Sequence, residues 1–339
     1  MYSSADYAVT PRPNYLADGR KLPDCYSQPA GLRDELQNEL GQFPLFKFWG
    51  PATDISSTQW IADASIYTDK KYDPTLTLIY LPHLDYCLQK FGQNINSSAK
   101  DLSEIDKVVE QLVNHYSGKG ARIILLSEYG ITNVDRPVHL NRELRNKGFL
   151  QIRTERGLEL LDAGASKAFA VADHQLAHIY INDRSVYGEV KKTIGQLPGV
   201  QLVLDKEEQK QYHIDHARSG DLVVITDDRS WFTYYFWLDD TLAPDYARVV
   251  DIHKKPGYDP VELFMTSKAR AAYKLLRKKL GLRYVMDVIP LDAGLVKGSH
   301  GRPGQDKRFH PVLVADHLKD RQVKAADVHD IIWKNLVGL

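Results

Sequence analysis

Two short apolar runs, each ending in an acid and separated by an amphipathic stretch, constrain this chain more than any other feature. Thr75-Leu76-Thr77-Leu78-Ile79-Tyr80-Leu81 runs into Pro82-His83-Leu84-Asp85, and Ala121-Arg122-Ile123-Ile124-Leu125-Leu126 runs into Ser127-Glu128-Tyr129-Gly130. Between them, residues 102–116 set Ile105, Val108, Val109, Leu112 and Val113 on one helical stripe. Asp101 and Glu104 stand in capping-box spacing ahead of it, and Gly118 and Gly120 close it. Continuous short apolar runs suit strands covered on both faces, and strand–helix–strand order predicts a parallel βαβ unit. The expected fold class is therefore α/β, a mostly parallel central sheet with helices on both faces.

The rest of the chain extends that plan. Residues 1–30 are rich in Pro, Tyr and Asp and read as extended loop. Helices are expected over 31–40, 56–70 (behind a Ser-Ser cap), 186–197, 260–280 and 325–336, and strands over 178–181, 200–204, 222–225 and 311–314. Residues 135–215 are less regular and are read as a cap inserted over the crevice of a single domain spanning 1–339. The aromatic run 231–237 lacks interleaved basic residues, so it predicts core and lid packing rather than a nucleobase platform.

Charge and cysteine content exclude several classes. Lys plus Arg and Asp plus Glu are both 44, which gives no global grip on a nucleic-acid polymer or anionic membrane. Cys25 and Cys87 have neither metal-motif spacing nor a disulfide framework. No stretch is long and apolar enough to span a bilayer. The first residues carry no basic or apolar leader, so the chain as written is expected to be cytoplasmic.

Ligands of open α/β sheets bind outside the carboxyl ends of the strands, which is where Asp85 and Glu128 fall. His300 lies far downstream in Gly298-Ser299-His300-Gly301. Two carboxylates and an imidazole are donors that zinc or manganese accepts. One acid at a strand end commonly caps a turn; two in one βαβ unit point into one crevice. His174 and His178 stand four apart, but Ile179-Tyr180-Ile181 looks like strand, so His178 is read as a strand residue and His174 stays open. Asp251 and His253 alternate onto one face of a turn-rich segment and suit either support of a site or a loop tied by its own bonds. The basic residues of 260–280 read as a solvated face.

These residues resemble a family. Ser127-Glu128-Tyr129-Gly130-Ile131 resembles the Ser-Asp-His-Gly-Met motif of the alkaline phosphatase superfamily, in its nucleotide pyrophosphatase/phosphodiesterase branch. The segment from Asp85 to Gly92 resembles that branch's Asp-x-x-Gly-His-x-x-Gly, and Gly298–Gly301 its Gly-x-His-Gly. The resemblance runs along essentially the whole chain, including the phrases at 10–24 and 80–92 and the segment 216–223. It implies two divalent cations, usually zinc, clamping the attacking and leaving oxygens of an in-line phosphoryl transfer through a Thr or Ser nucleophile. Carried over, Asp85 and His300 would serve one metal and Glu128 the other.

The chain departs from that pattern at Gln89 and Tyr129, each standing where the family has a histidine. A neutral amide is a poor zinc ligand and a phenol a good one only when ionised. His83, His174 or His253 are the substitutes at hand. The family's first strand, its metal-binding Asp and its nucleophile belong upstream of a phrase like Thr10-Pro11-Arg12-Pro13, so the chain reads as the carboxyl-terminal two-thirds of a longer protein. Three functions follow as expectations: a metal-dependent hydrolase of phosphodiester or pyrophosphate bonds in a phosphorylated small molecule, a non-catalytic relative that binds such a ligand or a protein, and a phosphonate hydrolase or mutase on the same scaffold.

Overall fold

The structure, a computed structural model, describes residues 3–304, 306–315, 318 and 322–338. It divides into two units. The first comprises Met1–Cys87, Ile95–Gly130 and His310–Leu339, and the second Leu88–Asn94 and Ile131–Phe309.

The first unit is mostly helical. Helix α1 (Ala30–Leu40) turns Leu32 and Leu36 inward. They join Phe43, and Trp60 and Ala64 of α2 (Ser56–Tyr72), in one apolar cluster. Helix α3 (His83–Phe91) begins in this unit, with its residues from Leu88 counted in the second, and α4 is Ile95–Gly118. On α4 the expected stripe is observed: Ile105, Val108 and Leu112 are buried with Ala62 of α2. Two local expectations fail for identifiable reasons. The N-terminus of α2 is not closed by its serines; the Asp54 carboxylate accepts the Ser56 amide at 3.0 Å. And α4 starts at Ile95, so Asp101 and Glu104 lie inside the helix rather than capping it. The polar run 96–100 hides this extension, because it carries no apolar stripe.

The two acid-tipped runs build little sheet. Residues 75–82 join no ladder among the described residues, and of the second run only Leu125–Leu126 pairs, antiparallel to Leu313–Val314. Leu76, Leu78 and Tyr80 are exposed, Leu78 by 78%. An apolar run becomes a buried strand only when neighbours cover its edges and faces. The parallel βαβ pairing expected from sequence is thus absent among the described residues.

The second unit holds the larger core. Its main sheet has four strands, β1 (Ala168–Asp173), β2 (Leu176–Ile181), β3 (Val200–Leu204) and β4 (Leu222–Thr226), ordered β1-β2-β4-β3 and antiparallel throughout. Burial alternates along β1 and β2, whereas every residue of the central β4 is buried. That is the difference between half-covered and fully covered strands. Helices α5 (Leu140–Asn146) and α6 (Tyr187–Gly195) add Leu140, Leu144, Val190 and Ile194 to the core. The aromatic run is core, as expected: Trp231, Phe232, Tyr234, Tyr235, Phe236 and Trp237 are at most 1% exposed. One parallel pair, Ser230–Phe232 with Arg136–Val138, lies beside it. Residues 135–215 fall wholly within this unit.

The basic helix is shorter than expected. Asp259 caps a separate turn at Pro260–Leu263, and the Ser267 hydroxyl accepts the Arg270 amide to start α7 (Lys268–Lys279) anew. Nearby, the buried Lys255 ammonium meets Asp259 at 2.8 Å and Glu262 at 2.6 Å. No helix among the described residues is long and apolar enough to cross a membrane.

Candidate functional site

In the first unit, Asp85 lies in the first turn of α3, just after Pro82, where the helix dipole favours an anion. The Tyr129 hydroxyl donates to Asp85 Oδ1 at 3.1 Å. Burial, and then the Asp85 carboxylate, push the Tyr129 phenol well above its ordinary range, so it is a neutral donor at pH 7. Tyr80 is also pushed up, first by burial and then by the charges of Asp85 and Glu128. Asp85, Glu128, Tyr129 and Tyr80 therefore share one electrostatic neighbourhood. Ser127 fixes the loop that carries Glu128: its hydroxyl accepts the Val312 amide at 2.9 Å, and its amide donates to the Val312 carbonyl at 3.0 Å.

His83 leaves this group. It is 3% exposed, and its Nε2 lies 3.2 Å from Asp101 and 3.5 Å from Glu104. Its close contacts are thus with the two acids of α4.

The second unit gathers the imidazoles. His174 sits in the tight turn joining β1 to β2, at φ +56, and is 4% exposed. Its ring centroid lies 3.9 Å from that of His300 and 4.4 Å from that of Tyr258. The Gln175 amide donates to the His300 carbonyl at 2.8 Å, pinning the glycine loop to the turn. Burial drives His174 well below its ordinary pKa, with the His300 charge adding to it, and burial pushes His300 down to about 4. Both rings are neutral at pH 7, the form in which imidazole binds metals. Nδ1 of His174 is buried and has no hydrogen-bond partner among the described residues. An orphaned buried nitrogen beside a second neutral imidazole fits a cation, because desolvation of that nitrogen is otherwise uncompensated.

Glycine is required in this loop. A side chain at Gly298 would place Cβ 2.1 Å from the Leu88 carbonyl oxygen. Gly298→Ala is expected to cost about 3 kcal/mol and to loosen His300, read as a lower thermal midpoint together with exchange broadening of the His300 ring resonances. A melt superimposable on the wild type would contradict the close approach.

The remaining candidates separate. His178 is a strand residue whose Nδ1 accepts the Gly220 amide at 3.1 Å. Gln89 is fully buried, and its carbonyl accepts the Lys297 amide at 2.9 Å. Asp251 faces Lys254 at 3.5 Å and its amide donates to Glu262, whereas His253 is exposed. Asp251 thus lies in a loop tied to Glu262, and His253 turns to solvent. Two neighbours of these groups were not legible in advance, Tyr80 in the first unit and Tyr258 in the second. For Tyr258 the signal was Gly257, which adopts φ +130 and approaches Ala172 so closely that a Cβ would lie 2.4 Å from its carbonyl oxygen. That contact brings the next residue up to His174.

The chain has a mixed α/β framework with small sheets. It belongs to the type I phosphodiesterase / nucleotide pyrophosphatase family, whose pattern it matches over residues 1–259. Among solved structures, the fold is similar to murine ectonucleotide pyrophosphatase / phosphodiesterase 5, an inactive form in complex with AMP. The TM-score is 0.50 at 14% identity, over 84% of this chain and 60% of that one. Phosphonoacetate hydrolase from Sinorhizobium meliloti 1021, in complex with phosphonoformate, aligns with a TM-score of 0.49 at 13% identity, over 84% of this chain and 56% of that one. The chain thus spans less than two thirds of the length of either protein. Among curated protein sequences, none matches it.

Proposed function

We propose that this chain carries metal-binding residues of a hydrolase acting on phosphodiester or pyrophosphate bonds in a phosphorylated small molecule. The observation that carries the reading is the His174–His300 pair: two neutral, buried imidazoles 3.9 Å apart, one with an unpartnered Nδ1. Family membership supports it, since the family is generally dependent on divalent metal, usually zinc. Two sets of donors would hold cations, each within its own unit: the carboxylates of Asp85 and Glu128, and the imidazoles of His174 and His300. Divalent cations there would neutralise charge on the phosphoryl oxygens. The chain's own groups have distinct tasks. Tyr129 orients Asp85 through its hydrogen bond. The Gly298–Gly301 loop aims His300. Residues 135–215 would cover the leaving group. We assign no nucleophile within the chain.

In the full chain supplied with zinc, Asp85→Ala and His300→Ala are each expected to lower kcat/KM for bis(4-nitrophenyl) phosphate by about a hundredfold or more. Dialysis against a chelator should abolish the same turnover and zinc should restore it. Undiminished turnover in both variants would sink the assignment. A second reading, a non-catalytic relative that binds a phosphorylated ligand, is favoured by Gln89 and by the neutral, hydrogen-bonded Tyr129. Metal binding with tight AMP binding but no turnover would decide for it.

A further inference from the structure

We propose that His83, Asp101 and Glu104 form a second kind of divalent-cation site, one that fastens the start of α3 to α4 and is separate from the Asp85 and His300 groups. One ligand atom from each residue lies within 4.8 Å of the other two. The pattern of distances is informative. His83 Nε2 is 3.2 Å from Asp101 Oδ1 and 3.5 Å from Glu104 Oε2. Charge-assisted hydrogen bonds between such groups run at about 2.7–2.9 Å. By contrast, donors bound tetrahedrally at about 2.1 Å to one zinc ion stand about 3.4 Å apart. Both His83 separations thus match edges of a coordination shell better than charge-assisted hydrogen bonds, and the third pair lies within 4.8 Å.

Burial points the same way. His83 is 3% exposed, and neither of its ring nitrogens has a hydrogen-bond partner of acceptable geometry among the described residues. A buried polar side chain is normally satisfied, because leaving it unmade costs about 1–3 kcal/mol. Asp101 and Glu104 are 26% exposed, which leaves an open side for entry and for water at the remaining positions. Lys100 reaches only the other oxygen of Glu104, Oε1, at 3.4 Å and is itself 81% exposed, so Oε2 stays directed at the imidazole. Asp54, the next carboxylate towards His83, is held by Lys47 at 2.6 Å and by Ser56 and stays outside the shell. One imidazole nitrogen with two carboxylate oxygens selects zinc or manganese over calcium, which takes oxygen ligands only.

The site does not depend on the hydrolase reading, and its test is built to fail separately. The full chain carrying Asp85→Ala, Glu128→Ala, His174→Ala and His300→Ala removes the proposed catalytic ligands. Dialysed against zinc, it is expected to retain close to one equivalent, and cobalt in its place should give a visible absorption band. Adding His83→Ala, or adding Asp101→Asn with Glu104→Gln, should weaken that binding more than tenfold. The second pair keeps side-chain volume and decides the matter if His83→Ala fails to give a native circular dichroism spectrum. A zinc-free quadruple variant, or binding unaffected by either added change, overturns the proposal whatever becomes of turnover.

Discussion

Replacing Lys255 by methionine is expected to remove about 3–5 kcal/mol of unfolding free energy, one of the largest single losses this chain can show. The ammonium is fully buried between two carboxylates that are themselves at most 2% exposed. Burial alone would lower its pKa, but Asp259 and Glu262 outweigh that and hold it raised. Removing the cation leaves two acids in a medium that cannot solvate them. Burial already raises the Glu262 pKa, with Lys255 acting against that rise. Without Lys255 the folded pKa climbs further above the unfolded value, so the folded state takes up protons that the unfolded state does not. The variant should therefore gain stability as the pH falls from neutral towards 5. Urea midpoints at pH 7.5 and 5.5 check both parts, and a variant within about 1 kcal/mol of wild type at pH 7.5 would refute the account.

The wild-type protein should show the opposite trend, and His139 is the clearest source. Burial first, then the Arg142 cation, push its pKa down to about 4. An unfolded imidazole titrates near about 6.5. The histidine's contribution is fully present above that value. Below it, the unfolded chain binds a proton the folded chain refuses, and about 3 kcal/mol is lost by the time the pH reaches 4. His300, also lowered to about 4 by burial, and His174, shifted the same way, steepen the fall. In His139→Phe the ring can keep its stacking on Tyr235, now 5.8 Å away and tilted by 12°, but loses the titrating nitrogen and its 2.7 Å contact with Thr233. Its stability should fall less steeply below pH 6.5, by about 1.4 kcal/mol per pH unit. An unchanged slope would mean His139 is not the group being charged.

Much of this molecule was readable where one side chain's environment follows from local pattern. The α4 stripe, the strand at Val200–Leu204 and the buried aromatic run all follow from spacing and polarity. What escaped depends on distant chain. The strand reading of 75–81 rested on apolarity, but a ladder needs neighbours that no local pattern guarantees. Asp101 and Glu104 have capping-box spacing, yet the helix begins six residues earlier and turns both towards His83. His174 could not be assigned because its role rests on a turn at φ +56 and on a loop more than a hundred residues away. Glycine was the most reliable long-range clue: Gly257 and Gly298 each mark a place where backbones approach too closely for a Cβ.

The unpaired segment at 75–82, with Leu76, Leu78 and Tyr80 exposed, has a practical consequence. Its amides and carbonyls join no ladder among the described residues, and its outward leucines invite a second strand. When the protein is concentrated, this stretch is where self-association should begin. A lysine at Leu78, the most exposed of these positions, is the economical way to keep preparations dispersed.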